Sequence, residues 1–327
     1  MIRPTQPALL ALALAACGPS PGDPPVRGAA PGGLAATEGE LAVPDGKVWY
    51  RVTGTGSRTP VILLHGGPGY SSFYLKTLDS LGLDRRAIRY DQLGAGKSSR
   101  ITDTLLFTIP HFVAELDSVR RALGAPRVYL LGHSWGTILA VEYYRAHPEH
   151  VAGLVLASAA LDIPTWERHA RELVMTLPDS AQRAIRRAEQ THDYGAADYQ
   201  AALGDFYGRY VWRHPVASDL DSLLQTVNEL IYNYMQGPSE FTIVGTLRHY
   251  DATPSLPGIR VPTLYTVGEF DEANPATIRR FADLTPGAEV AVIPGAAHLT
   301  TWDNPAAMLG AVRSFLLRAD SLPPAAP

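Results

Sequence analysis

A serine, an aspartate and a histidine, met in that order along the chain, could together carry out acyl transfer: Ser134, Asp271 and His298. Ser134 sits in Gly132-His133-Ser134-Trp135-Gly136, between an apolar run at Val128 to Leu131 and a helix-patterned segment from Ile138 to Ala146. Gly-x-Ser-x-Gly in that setting marks a sharp strand-to-helix turn that lifts the serine out of a sheet. Glycines flank it because the strained turn leaves no room for a Cβ on either side. The hydroxyl then lies near a helix N-terminus, where the dipole favours developing negative charge. His298 ends Gly295-Ala296-Ala297-His298, directly after the last apolar run, and could take the serine proton and return it to a leaving group. Asp271, in Gly268-Glu269-Phe270-Asp271-Glu272, would hold the imidazole in one tautomer and stabilise its cation. Asp103, Asp251 and Asp283 are less well placed, and Asp283 falls within a helical pattern.

Two further loops belong with these residues. His65-Gly66-Gly67-Pro68-Gly69 follows the buried-strand pattern Pro60 to Leu64 and lets backbone approach a ligand closely. In this architecture such a loop supplies one oxyanion N–H, and the residue after the nucleophile, Trp135, supplies the other. Asp91-Gln92-Leu93-Gly94-Ala95-Gly96-Lys97-Ser98 superficially suggests a phosphate loop, but Gly94 and Gly96 are too close together for that spacing. Asp91 is expected to brace the loop. Glu272, beside Asp271, and Glu240, in Gln236-Gly237-Pro238-Ser239-Glu240-Phe241, form a second acidic set. A glutamate pair at an acyl-transfer site could bind the α-ammonium of a peptide end. Equally, Glu240 could cap a helix and Glu272 be solvated, and chemistry alone favours neither.

The elements that must position these residues read as alternating strands and helices. Strands at 40–43 and 47–52 form a hairpin around Pro44-Asp45-Gly46. Apolar runs at 60–64, 87–90, 128–131, 154–156, 263–267 and 290–293 alternate with helical periods at 111–123, 138–147 and 305–317. This predicts an α/β class protein of the α/β-hydrolase fold: a mostly parallel sheet flanked by helices, with ligands at the C-terminal strand ends. From 162 to 250 the strand pattern gives way to charged helical segments at 165–177, 180–191, 196–212 and 220–235. This segment is expected to be an inserted helical cap, with 38–161 and 251–327 forming the core. It is rich in aromatic residues, among them Trp166, Tyr207, Trp212, Tyr232 and Tyr234; most must pack the cap, while one or two could wall a substrate pocket.

A chain of 327 residues, 46% hydrophobic and 18% charged, can bury a sizeable core. Its net charge of −4, with no lysine or arginine run, argues against nucleic acid as a partner. The single cysteine, Cys17, follows a basic start and an apolar stretch from Ala8 to Ala16. Leu14-Ala15-Ala16-Cys17 resembles the lipobox of bacterial lipoproteins. Residues 1–16 are therefore expected to be a signal peptide, and Cys17 the lipid-modified start of an exported protein held on the cell envelope. Residues 17–37, rich in proline, glycine and alanine, are expected to be a disordered tether.

The loops together resemble the proline iminopeptidase family of α/β-hydrolases, and within it the tricorn-interacting aminopeptidase branch. The carriers are His65 to Gly69, Tyr90 to Ser98, Gly132 to Gly136, Gly237-Pro238-Ser239-Glu240-Phe241, Gly268 to Glu272 and His298-Leu299-Thr300. They span nearly the whole chain after the tether. The resemblance implies Ser134 as nucleophile, Asp271 and His298 as its partners, oxyanion donors at the backbone of Gly67 and Trp135, and Glu240 with Glu272 as receptors of the substrate amino group. It implies release of N-terminal residues, often proline, from short peptides, or action on amino-acid amides, without a metal or other cofactor. Thr137 stands where the family often has a further glycine, and the lipobox and tether are not general family features. Alternative readings are an amino-acid amidase, a carboxylic-ester hydrolase, and a catalytically silent binding module on the same fold. Ser134 at the elbow excludes the aspartate-dependent epoxide and dehalogenation chemistries.

Overall fold

The computed structural model of the chain describes residues 34–322. The expected signal segment, Cys17 and the tether as far as residue 33 lie outside the described residues. One sheet forms the centre. Its strands are β1 (Ala36–Val43), β2 (Gly46–Leu64), β3 (Arg85–Tyr90), β4 (Val128–His133), β5 (Val151–Ala157), β6 (Thr263–Gly268) and β7 (Glu289–Ile293). The order is β1-β2-β4-β5-β6-β7, with β3 paired to β2. From β2 to β7 across β4, β5 and β6 every pairing is parallel. β4, β5 and β6 are buried along almost their whole length, as the uninterrupted apolar runs required.

Where two separate strands were expected at 47–52 and 60–64, the structure has one long ladder. β2 keeps pairing through residues 53–60 because both of its arms use β3: Tyr50–Thr53 oppose Tyr90–Ala87, and Val61, Ile62 and Leu63 then match Ala87, Ile88 and Arg89. The first arm alone carries the hairpin partner β1.

Helices α1 (Ile109–Ala122), α2 (Trp135–Ala146), α8 (Pro275–Leu284), α9 (Thr300–Asp303) and α10 (Pro305–Ala319) accompany the strands. Three of their starts carry side-chain caps: Thr108 accepts from His111 N–H, Asn274 from Ala276 N–H and Asn304 from Ala307 N–H. Between β5 and β6 come α3 (Ile163–Val174), α4 (Asp179–Thr191), α5 (Ala197–Tyr210), α6 (Ala217–Thr226) and α7 (Glu229–Met235). The single helix expected at 220–235 is broken at Val227 and Asn228. Asn228 explains the break: its Oδ1 caps the Leu230 and Ile231 amides, its Nδ2 donates to the Gly94 carbonyl, and its own N–H donates to the Gly69 carbonyl. The helical insertion is thereby tied to two of the loops that frame Ser134.

Candidate active site

The turn between β4 and α2 holds Ser134 at φ 55°, a left-handed conformation that costs a non-glycine residue energy and persists only where the surroundings enforce it. They do so through close packing. A Cβ on Gly132 would lie 2.2 Å from the Gly136 carbonyl oxygen, and one on Gly136 would lie 2.2 Å from the Leu64 carbonyl oxygen. Both flanking glycines are required by backbone approach, as the motif implied.

Two neighbouring loops clasp the elbow. His65 Nε2 accepts from the Gln92 N–H, and the Gln92 side chain donates to the His65 carbonyl while accepting from Trp135 Nε1–H. Asp91 braces its own loop by accepting from the Ser72 N–H and hydroxyl and the Lys97 N–H. Buried Glu115 accepts from the Leu93 N–H. The Gly66 N–H is engaged by Tyr74 Oη at 2.6 Å, whereas the Gly67 and Trp135 amides make no hydrogen bond among the described residues. Those two are free to donate to an oxyanion.

Asp271 and His298 meet on the loops after β6 and β7. His298 Nδ1 lies 2.9 Å from Asp271 Oδ1. Asp271 also accepts from the Ala273 N–H at 2.8 Å, the Ser158 hydroxyl at 2.6 Å and the Gly268 N–H at 3.2 Å. Burial pushes the Asp271 carboxyl up, but the His298 charge and the hydrogen bonds from His298, Ser158 and Ala273 outweigh it and leave the group below its ordinary value. The aspartate is thus an acceptor only, so His298 carries its proton on Nδ1 and leaves Nε2 able to accept one. Among the described residues no hydrogen bond joins His298 to Ser134; both line one cleft of about 390 Å³, with Gly67, Tyr70, Tyr207, Trp212 and Glu240 in its wall. Catalytic hydrogen bonds are commonly loose before substrate arrives. A second, smaller recess shares Gly67, Ser134 and Glu240 and is lined by Ile138, Ala160, Ile163, Trp166 and Leu247.

The two glutamates behave differently from Asp271. Glu240 accepts from Tyr232 Oη at 2.7 Å and Gln236 Nε2 at 3.3 Å, and it caps no helix. Desolvation raises it above the ordinary carboxylate range. Glu272 is fully buried, and neither of its side-chain oxygens has a hydrogen-bond partner among the described residues. Burial, then the charges of Glu240 and Asp271, hold it well above the ordinary range. The solvated reading of Glu272 is therefore wrong: it is buried, and its N–H donates to the Tyr210 carbonyl at the end of α5.

That strap is part of a broader fastening. The Tyr210 carbonyl also accepts from the His298 N–H at 3.2 Å, and the Val211 carbonyl from the Leu299 N–H at 2.7 Å. Asp303 accepts from the Arg213, His214 and Ala297 amides, each at 2.8 Å, bridging the helical insertion to the residue before His298. Sequence reasoning missed Ser158, Asp303, Tyr70 and Tyr74. No motif marks them: Ser158, Asp303 and Tyr74 each have a partner more than fifty residues away, and Tyr70 stands in a cavity wall. Of the aromatics in the insertion, Tyr207, Trp212 and Trp166 reach the cavities, while Tyr199 and Phe206 pack the interior.

Comparison with known proteins fits this arrangement. The family model of the alpha/beta hydrolase fold matches residues 59–305. A proline iminopeptidase of Heyndrickxia coagulans is 39% identical over 285 residues, covering 86% of this chain and 98% of that protein. One of Saccharolobus solfataricus is 32% identical over 280 residues, covering 84% and 89%. The crystal structure of a Mycobacterium smegmatis proline iminopeptidase superposes with a TM-score of 0.78 at 32% identity, covering 87% of this chain and 99% of that one. The crystal structure of VinJ gives a TM-score of 0.83 at 32% identity, covering 86% and 99%. With its elbow serine, its Asp271–His298 pair and these full-length relatives, the chain belongs to the proline iminopeptidase family of α/β-hydrolases.

Proposed function

We propose that this protein is a serine aminopeptidase that releases the N-terminal residue of short peptides. Ser134 Oγ attacks the carbonyl carbon of the first peptide bond as its proton passes to His298 Nε2. The carbonyl oxygen, now negative, receives the Gly67 and Trp135 N–H groups. When the C–N bond breaks, His298 returns the proton to the departing amine. Water then attacks the acyl-enzyme by the same route, with His298 as base and Asp271 holding the imidazolium. The substrate's α-ammonium is received by Glu240 and Glu272.

The observation that carries this reading is Glu240 in the wall of the Ser134 cleft, with buried Glu272 close enough for the two carboxylates to act on each other's charge. A serine hydrolase of blocked amides or esters has no use for two desolvated carboxylates, one without a hydrogen-bond partner among the described residues. A ligand that brings its own positive charge relieves that cost. The small apolar recess beside Ser134 suits a compact apolar first residue such as proline. The resemblance to the tricorn-interacting branch and the lipid anchor at Cys17, which would hold the enzyme on the cell envelope, are parts of the same proposal. The Gly-Pro-Ser-Glu-Phe motif and the lipobox support them respectively. Labelling with radioactive palmitate, lost in Cys17→Ser, tests the anchor.

Turnover of an aminoacyl-arylamide and its N-acetylated counterpart tests the activity. Ser134→Ala should abolish turnover with the fold intact, and acetylation should remove most of the wild-type rate. Equal rates on free and blocked substrates would instead favour an esterase or general amidase.

A further inference from the structure

His133, the variable residue of the elbow, has both ring nitrogens engaged. Nε2 lies 2.9 Å from the His298 carbonyl oxygen, and Nδ1 lies 2.9 Å from Tyr74 Oη. Tyr74 Oη also receives the Gly66 N–H at 2.6 Å. The directions of these bonds are fixed by elementary rules. A carbonyl can only accept, so His133 Nε2 carries a hydrogen. Burial, and then the neighbouring His298, push the His133 imidazole down to about 3, so the ring is neutral and Nδ1 bears a lone pair. Tyr74 must therefore donate its hydroxyl hydrogen to Nδ1 while accepting from Gly66. A one-way chain results: Gly66 N–H to Tyr74 oxygen, Tyr74 O–H to His133 Nδ1, His133 Nε2–H to the His298 carbonyl.

The ends of the chain matter. Gly66 precedes the Gly67 amide, and His298 is the proposed base. Two other groups approach the His298 carbonyl. The Thr300 N–H at 3.0 Å is local to its own turn. Ser158 lies at 3.2 Å, but its single hydroxyl hydrogen is directed to Asp271 Oδ2 at 2.6 Å. His133 is thus the side-chain donor that ties the His298 backbone to the elbow. All three side chains are at least 96% buried, so water does not compete for these bonds.

We propose that His133 and Tyr74 are positioning residues that set the distance between the oxyanion loop and His298 across the elbow serine. The proposal rests on the roles given above to Ser134, Gly67 and His298. It adds that the geometry between base and oxyanion donors is held from inside the elbow, by a side chain the Gly-x-Ser-x-Gly pattern leaves free. Misplacing a reacting group by about 1 Å can cost about a hundredfold in rate, and the chain acts on both reacting ends at once.

The test compares Tyr74→Phe, His133→Leu, the double variant and His133→Gln. Each is assayed for kcat and KM on an aminoacyl-arylamide, with active sites counted by end-point fluorophosphonate labelling of Ser134. Per labelled site, His133→Leu should lower kcat about a hundredfold and Tyr74→Phe about tenfold, with KM within about twofold. The double variant should be no worse than His133→Leu, since both break one chain. His133→Gln, whose amide can still donate to the His298 carbonyl, should recover part of the loss. Wild-type kcat per labelled site in Tyr74→Phe, or fully multiplicative losses in the double variant, would overturn the proposal. Tyr74→Phe keeps the ring and its packing, so this arm survives if His133→Leu fails to fold. A second arm needs no variant: ¹⁵N spectra of the wild-type protein should show His133 as the neutral Nε2–H tautomer from pH 5 to 9, and its titration within that range would also overturn it. Failure of the wild-type enzyme to turn over any free-amine substrate would instead count against the aminopeptidase reading.

Discussion

Asp271 and Glu272 are neighbours in sequence, both are buried, and they hold charge in opposite ways. Asp271 is met by four donors from its own protein, which together overcome desolvation and keep it ionised. Glu272 is met by none among the described residues and is held toward its neutral form. The same contrast divides the cleft. On the His298 side the Asp271 carboxylate is satisfied within the fold, so the acid–imidazole pair is oriented before substrate binds. Around Glu240 and Glu272 desolvation raises both carboxyls, a cost that a cationic ligand would relieve. Pre-organisation serves the chemistry on one side, and desolvated carboxyls serve selection on the other.

The largest effect should come from disturbing the satisfied side. Asp271→Asn presents a donor where His298 needs an acceptor, so the imidazole adopts the wrong tautomer. We expect kcat to fall about 10³- to 10⁴-fold, equally on aminoacyl-arylamides and on simple acyl esters without an amino group. A loss confined to free-amine substrates would erase the distinction between the two sides.

Glu272→Gln should do the reverse. It should lower kcat/KM about ten- to a hundredfold on free-amine substrates and leave the simple esters within about twofold. Its effect on stability should carry the opposite sign. A carboxyl whose folded pKa is raised binds its proton more tightly in the folded state. Stability is therefore undiminished at pH below the unfolded value near 4.3 and falls as pH rises from there toward the raised folded value. Glutamine has no such loss. Thermal unfolding of Glu272→Gln should match wild type near pH 4 and exceed it by a few degrees at pH 8, a gain that a bound aminoacyl inhibitor narrows. A less stable variant at pH 8 would mean that Glu272 is paired in the free enzyme after all.

The smallest effect tests the boundary between the two sides. Asp303 joins the amides of Arg213 and His214 to that of Ala297. Asp303→Ala should loosen the helical insertion over the His298 loop, raising KM and lowering kcat together by about threefold. A change in kcat alone would place Asp303 with the His298 network.

The contrast also separates what could be read early from what could not. The elbow was legible because backbone approach forces glycine at 132 and 136 and because a buried parallel strand writes itself as an unbroken apolar run. The α/β-hydrolase fold followed from the alternation of such runs with helical periods. The break at Asn228 was not legible, since a helical period continues across it, and the reason to stop lies on the Gly69 and Gly94 carbonyls. Chemistry alone left Glu272 open because a charged residue on a loop is ordinarily solvated, and its burial against the end of α5 is not written in the local sequence.

By itself the sequence determined the sheet, the strained serine turn and the order of serine, acid and histidine, because each follows from local sterics and short-range periodicity. The tertiary structure alone decided which groups are satisfied and which are left wanting. Ser158 reaches Asp271 over 113 residues, and His133 reaches the His298 carbonyl over 165. Hydrogen bonds of that range leave no pattern in the chain, yet they set the charge on Asp271 and the tautomer of His133.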